Sequence, residues 1–245
     1  MIFMAEEKKE TTPENQQGKT IVVKKSKLII VIIAIIIIIL VTIFLFYKPC
    51  DKVNVVTNYS AVLGMENATI YVVEFSDYEC PFCQASEGTN QQVINSLKES
   101  DPQWEAPIPK VIEEYVNTGK IKLVFRNYPM HANSKNAASA ARCAYEQGKF
   151  WEYHKILFEK YDALTLTDLK KYAADLNLNL SQFNECLDSN KYDTIIESDL
   201  NDGKCLQISG TPTFFIGNEE KGYEKIVGAQ PFSDFKQIIE SKISV

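Results

Sequence analysis

Hydrophobic and polar positions fall into three regimes along this chain. Residues 1–27 are polar and show no apolar period, the pattern of a flexible tail. Residues 28–47, LIIVIIAIIIIILVTIFLFY, form an uncharged block of twenty. At about 1.5 Å of rise per residue, such a block spans roughly 30 Å as a helix, the thickness of a bilayer's hydrocarbon layer. Beyond it, short β-branched runs alternate with stretches of helical periodicity, as in a mixed α/β domain.

The runs predict strands. Ile70-Tyr71-Val72-Val73 continues through Glu74 and Phe75 and reads as a buried central strand. Residues 121–125 (IKLVF), 213–216 (TFFI) and, more weakly, 224–227 follow, and a short apolar edge element is expected at 53–56 with a turn at Gly64. Helices are predicted from Pro81 through 84–98, over 110–117, almost continuously from Ser134 to about Lys204, and over 233–243. Thr167 and Ser181 are the expected caps inside the long helical stretch, and three prolines mark 101–109 as a loop. The order strand, helix, strand, several helices, hairpin, helix implies a small mixed sheet with a helical block inserted in its middle. The expected organisation is a tail (1–27), a transmembrane signal anchor (28–47), a linker with the edge element (48–66) and one α/β domain (67–245) with its insertion at about 132–205.

Charge sets the orientation. Lys24, Lys25 and Lys27 precede the apolar block and Lys48 follows it, which by the positive-inside rule leaves the N-terminus in the cytoplasm and the domain outside it. A cleaved signal peptide has a shorter core and a small-residue cleavage site, and the chain continues instead as Tyr47-Lys48-Pro49-Cys50. Up to Lys48 lie seven of the 26 basic and four of the 32 acidic residues, leaving 19 and 28 for the remainder. A domain that acidic is a poor partner for nucleic acid or an anionic membrane surface.

The central strand runs into Cys80-Pro81-Phe82-Cys83. Pro81 suits the first position of a helix. Cys80 then sits at the helix mouth, where free N–H groups and the helix dipole favour a thiolate, with Cys83 less than a turn away and able to close a disulfide. A stabilising disulfide across so small a loop would gain little loop-closure entropy. A zinc site would need two further ligands at matching spacing, in a chain with two histidines. Redox chemistry with no metal and no bound cofactor is the expectation.

The segments EFSDYECPFC (74–83), FRNYPMH (125–131), ARCAYEQGKFWEYH (141–154) and SGTPTFFIGN (209–218) together resemble the DsbA-like thiol–disulfide oxidoreductases of the thioredoxin superfamily. The resemblance covers most of the chain from about residue 69 and implies a thioredoxin-like fold with an inserted helical domain. It implies that Thr211-Pro212 is the cis-proline loop beside the active disulfide, and that Glu74 is the acidic residue near the buried thiol that relays its proton. It implies Cys143–Cys186 as a second, structural disulfide, with Cys143–Cys205 as the alternative and Cys50 unpaired or an intermolecular partner. Exported proteins with free thiols are the implied substrates, and a membrane quinone-linked oxidase, DsbB-like or vitamin K epoxide reductase-like, the implied partner. The same thiols could run as a reductase or isomerase, or the domain could be a redox-silent peptide-binding module.

One departure from the bacterial oxidant pattern stands out. The middle dipeptide Pro81-Phe82 lacks the histidine whose charge helps hold a thiolate, while Glu79 adds negative charge beside Cys80. Phe82 instead offers an apolar landing surface. Of the two histidines, either of which could replace that charge, His154 falls in an aromatic helical stripe and reads as core, and His131, in a loop after Pro129 from which it could approach the site, reads as a surface residue.

Overall fold

The computed structural model describes residues 25–46, 50 and 53–244. The tail expected at 1–27 lies almost wholly outside them. The chain divides into two compact units, Met1–Pro49 and Cys50–Val245. Among its described residues the first holds one helix, α1 (Lys25–Phe46). Its side chains are described over residues 29–42 alone, and among the described residues no helix is long and apolar enough to cross a membrane.

The second unit is built on a five-stranded sheet in the order β1-β3-β2-β4-β5: β1 (Ala61–Leu63), β2 (Ile70–Ser76), β3 (Ile121–Asn127), β4 (Thr213–Asn218) and β5 (Gly222–Val227). β2 and β3 are parallel and the other pairs antiparallel. β2 is central because Val72, Val73 and Phe75 are all buried, so both its faces are covered. One face packs on α4 (Pro107–Val111, which runs on into a π-helical turn over Ile112–Val116) and on α10 (Phe232–Ile243). Between β3 and β4 come five helices: α5 (Ser134–Tyr145), α6 (Phe150–Glu159), α7 (Leu166–Asp175), α8 (Leu180–Asp188) and α9 (Asp193–Cys205). Their core, around Phe150, Leu157 and Phe183, is continuous with Phe125, Tyr78, Cys80 and Cys83. The thiols therefore lie where the helical block meets the sheet.

Several local expectations change. The helix expected across 84–98 is two, α2 (Pro81–Ser86) and α3 (Gln91–Ser100). Gly88 turns between them at φ +78°, a conformation suited to glycine, and the Asn90 side chain caps α3 by accepting from the Val93 N–H at 3.2 Å. Pro107 and Pro109, expected in a loop, lie in the first turn of α4, where their missing N–H groups cost nothing. α7 is capped by Thr165, in a reciprocal box with Asp168, and α8 by Asn179, each two residues before the expected cap.

The edge strand is Ala61–Leu63 and not 53–56. Residues 54–55 are held by Arg126, whose Nη1 donates to the carbonyls of Asn54 (3.1 Å) and Val55 (2.9 Å). The same guanidinium pairs with Asp199 (2.7 Å) and Asp202 (2.6 Å) on α9. This clamp brings the start of the unit against α9 and explains a disulfide that spacing did not indicate, Cys50–Cys205, in place of an unpaired Cys50. Cys143 on α5 pairs with Cys186 on α8.

Candidate active site

Cys80 occupies the N-cap of α2 with extended backbone (φ −73°, ψ 120°), and Pro81 begins the helix. The Cys80 N–H donates to the Asp77 carbonyl at 3.1 Å, fixing the turn out of β2. Both motif cysteines are free thiols, Cys83 completely buried and Cys80 nearly so. Cys80 Sγ lies 3.2 Å from the Thr211 carbonyl oxygen, and the Thr211–Pro212 peptide is cis. The loop before β4 thus lies directly against the sulfur.

The two thiols are driven apart in acidity. Hydrogen bonding with the Cys83 thiol draws Cys80 down to about 6; burial opposes this, and Thr211 with the backbone N–H groups of Cys83 and Phe82 adds to it. Burial pushes Cys83 up, and the neighbouring charges of Cys80 and Glu74 push the same way. Near neutral pH the pair holds its negative charge on Cys80.

Glu74 stands on β2 opposite Phe125 and Phe214, 1 % exposed, with Oε1 lacking a hydrogen-bond partner. Burial raises its pKa well above the usual range, and the charge of Glu87 raises it further. Glu87, just beyond α2, is itself pushed up to about 8 by burial. Its Oε1 is 3.2 Å from Nε2 of His154, whose Nδ1 is 3.1 Å from the Tyr78 hydroxyl. His154 is held neutral, its pKa lowered by burial to about 4. Two carboxyls that resist ionisation beside a high-pKa thiol can store and pass a proton.

A family model described as thioredoxin matches residues 102–241. The chain belongs to the thioredoxin family. Its match begins after Cys83, so the family assignment rests on the fold and the cis-proline region and not on the cysteine pair. Solved neighbours make this thioredoxin-family chain DsbA-like. Oxidised BdbD from Bacillus subtilis is 25% identical with a TM-score of 0.63, the match covering 76% of this chain and 94% of that one. Wolbachia pipientis α-DsbA1 is also 25% identical with a TM-score of 0.63, over 77% and 93%. Disulfide bond formation protein D of Bacillus subtilis (strain 168) is 27% identical over 191 residues, 74% of each chain. A Na(+)/H(+) antiporter, NhaA 3 of Salinispora tropica, is 34% identical over 158 residues, 63% of this chain and 21% of that protein. The DsbA-like chain thus spans about a fifth of the length of that relative.

Around the thiols of the DsbA-like site, Phe82 is 50% exposed. A hollow lined by Pro81, Val93 and Leu97 lies on one side of it, and another lined by Trp104, Thr211 and Pro231 on the other. One contributor escaped sequence reasoning and two were given a lesser part by it. Glu87 follows the motif with no pattern to mark it. His154 is core, as its stripe suggests, but also a hydrogen-bonding member of the carboxyl cluster. His131 is half exposed yet tied to the turn before Cys80 through Asp77 at 2.7 Å.

Proposed function

We propose that the chain is a membrane-tethered thiol–disulfide oxidoreductase that introduces disulfides into exported proteins through Cys80 and Cys83. The observation that carries this reading is the split between an acidic Cys80, at about 6, and a buried Cys83 pushed up by its surroundings. A stabilised thiolate favours the reduced form and so makes the disulfide oxidising. A substrate thiolate attacks Cys80 Sγ of the oxidised pair. The Cys80–Cys83 bond breaks, and Cys83 leaves with the bonding electrons and takes a proton from the Glu74–Glu87 carboxyls. A second substrate thiolate then attacks the substrate sulfur of the mixed disulfide and expels Cys80 as thiolate. Two electrons have moved from substrate dithiol to enzyme, and a DsbB-like or vitamin K epoxide reductase-like quinone-linked oxidase in the same membrane takes them on.

The anchor is the uncharged block of residues 28–47. As a helix its twenty residues would rise about 30 Å, the thickness of a bilayer's hydrocarbon layer, and Lys24, Lys25 and Lys27 before it favour a cytoplasmic N-terminus. Phe82 and its two hollows offer an apolar seat for an extended peptide beside the Thr211-Pro212 loop.

Titrating the redox state of Cys80–Cys83 against glutathione, with alkylation and mass measurement at each ratio, tests the direction. An oxidase is reduced already at oxidising ratios. A pair that stays oxidised until strongly reducing conditions is a reductase fed by another carrier. A pair that never exchanges leaves a peptide-binding module and ends both enzyme readings.

A further inference from the structure

Cys80-Pro81-Phe82-Cys83 carries no cation, and Glu79 lies directly before it. An imidazole nevertheless reaches the turn from beyond the end of β3. Asp77, buried at the exit of β2, accepts from the N–H groups of Glu79 (2.8 Å), Met130 (2.6 Å) and His131 (3.1 Å), and from the Ser134 hydroxyl. Its Oδ2 is also 2.7 Å from Nδ1 of His131. Glu79 adds a second lacing: its carboxylate accepts from the Asn133 N–H (2.6 Å), the Asn133 amide (3.0 Å) and the Ser134 hydroxyl (3.0 Å). Residues 77–80 and 130–134 are thereby one hydrogen-bonded unit, with the imidazole on it.

We propose that His131 is a positioning residue for thiol exchange, the cation that favours the Cys80 thiolate, supplied across the fold through Asp77 where the motif itself supplies none. Asp77 needs such a partner, because a lone buried carboxylate beside the turn would repel a second negative charge on Cys80. The imidazole touches Asp77, and the charges that bear on it are those of Asp77, Cys80 and Glu79. The hydrogen bond to Asp77 raises its pKa most, burial opposes, and the charges of Asp77, Cys80 and Glu79 raise it further. The imidazole therefore keeps its proton to higher pH than an ordinary histidine does.

The coupling has to be mutual: if the imidazolium eases ionisation of Cys80, the Cys80 thiolate must equally ease protonation of His131. Closing the disulfide removes that charge, so His131 gives up its proton more readily in the oxidised protein. The inference deepens the oxidoreductase reading, but it concerns thiol acidity and is measured whether electrons flow toward or away from substrate.

Two measurements on the full chain test it. In reduced protein labelled at histidine, two imidazole signals are expected, since the chain has two histidines. The one lost in His131→Asn should titrate at lower pH after oxidation of Cys80–Cys83, in unmodified protein whose folding is not in question. In His131→Asn, which can still donate to Asp77 but carries no charge, the Cys80 pKa should rise by roughly half a unit, about threefold less thiolate below the titration midpoint, and His131→Lys should restore most of it. A histidine titration indifferent to the redox state, or a Cys80 titration unmoved in a folded His131→Asn protein, overturns the proposal.

Discussion

Cys80 and Cys83 are two residues apart and are treated oppositely by the fold. The first is bathed in donors at a helix mouth, the second is sealed in the core. With Cys80 near 6, alkylation of the reduced protein should climb between about pH 5 and 7 and then level off, whereas an ordinary thiol keeps gaining reactivity past pH 8. This lowered pKa also stabilises the reduced fold: the contribution is complete above the unfolded value near 9 and is lost as pH falls through 6. Glu87 works with the opposite sign. Its folded pKa of about 8 lies above the usual 4.5, so the folded state holds a proton the unfolded chain gives up, and stability falls as pH rises from about 4.5 to 8. Glu87→Gln keeps an acceptor for His154 and removes that ionisation. It should raise stability at pH 8 by about 1–3 kcal/mol in denaturant melts and leave pH 4 nearly unchanged.

At the scale of elements, two residues seat α9 against the end of β3. Gly203 presents no side chain toward Tyr128, at the end of β3, and an added Cβ would meet the tyrosine ring. Gly203→Ala gains about 1 kcal/mol of helix propensity, yet should lose roughly 1–3 kcal/mol to the clash, so the variant is destabilised overall or at best unchanged. Arg126→Met leaves Asp199 buried without its charge partner, and a loss of about 3–5 kcal/mol by chemical denaturation is expected.

The strands and most helices were legible because their signals are local: β-branched runs for β2 and β3, helical spacing for α5 to α10. What was not legible depended on backbone or distant partners. The Gly88 turn splits the expected helix within residues 86–92 (SEGTNQQ), a polar run, through a backbone conformation at φ +78°. Thr165 and Asn179 cap ahead of Thr167 and Ser181, all of them residue types that can cap. In the site, Cys80, Cys83, Pro212 and Glu74 are marked by the motif and the resemblance, and the structure brings all four to one place. Glu87, His131 and the Cys50–Cys205 bond follow from contacts more than fifty residues apart in sequence, or from burial, which no spacing encodes.

At the scale of the molecule, the two disulfides have different tasks. Cys143–Cys186 closes 43 residues within the helical block, and replacing both cysteines by alanine should cost about 2–4 kcal/mol and unsettle α5 and α8 while leaving the sheet paired. Cys50–Cys205 instead lies at the entry to the second unit. Phe46 ends α1, and Cys50 comes four residues later. Fully stretched, four residues reach about 14 Å. Without the crosslink, the next fastening among the described residues is at Asn54, eight residues on, and the reach doubles to about 28 Å. A doubled leash opens roughly eight times the volume. With residues 28–47 as the proposed anchor, the Cys50–Cys205 bond therefore sets a working radius. On the proposed anchoring, a fastened tether would favour partners in the same membrane over soluble ones.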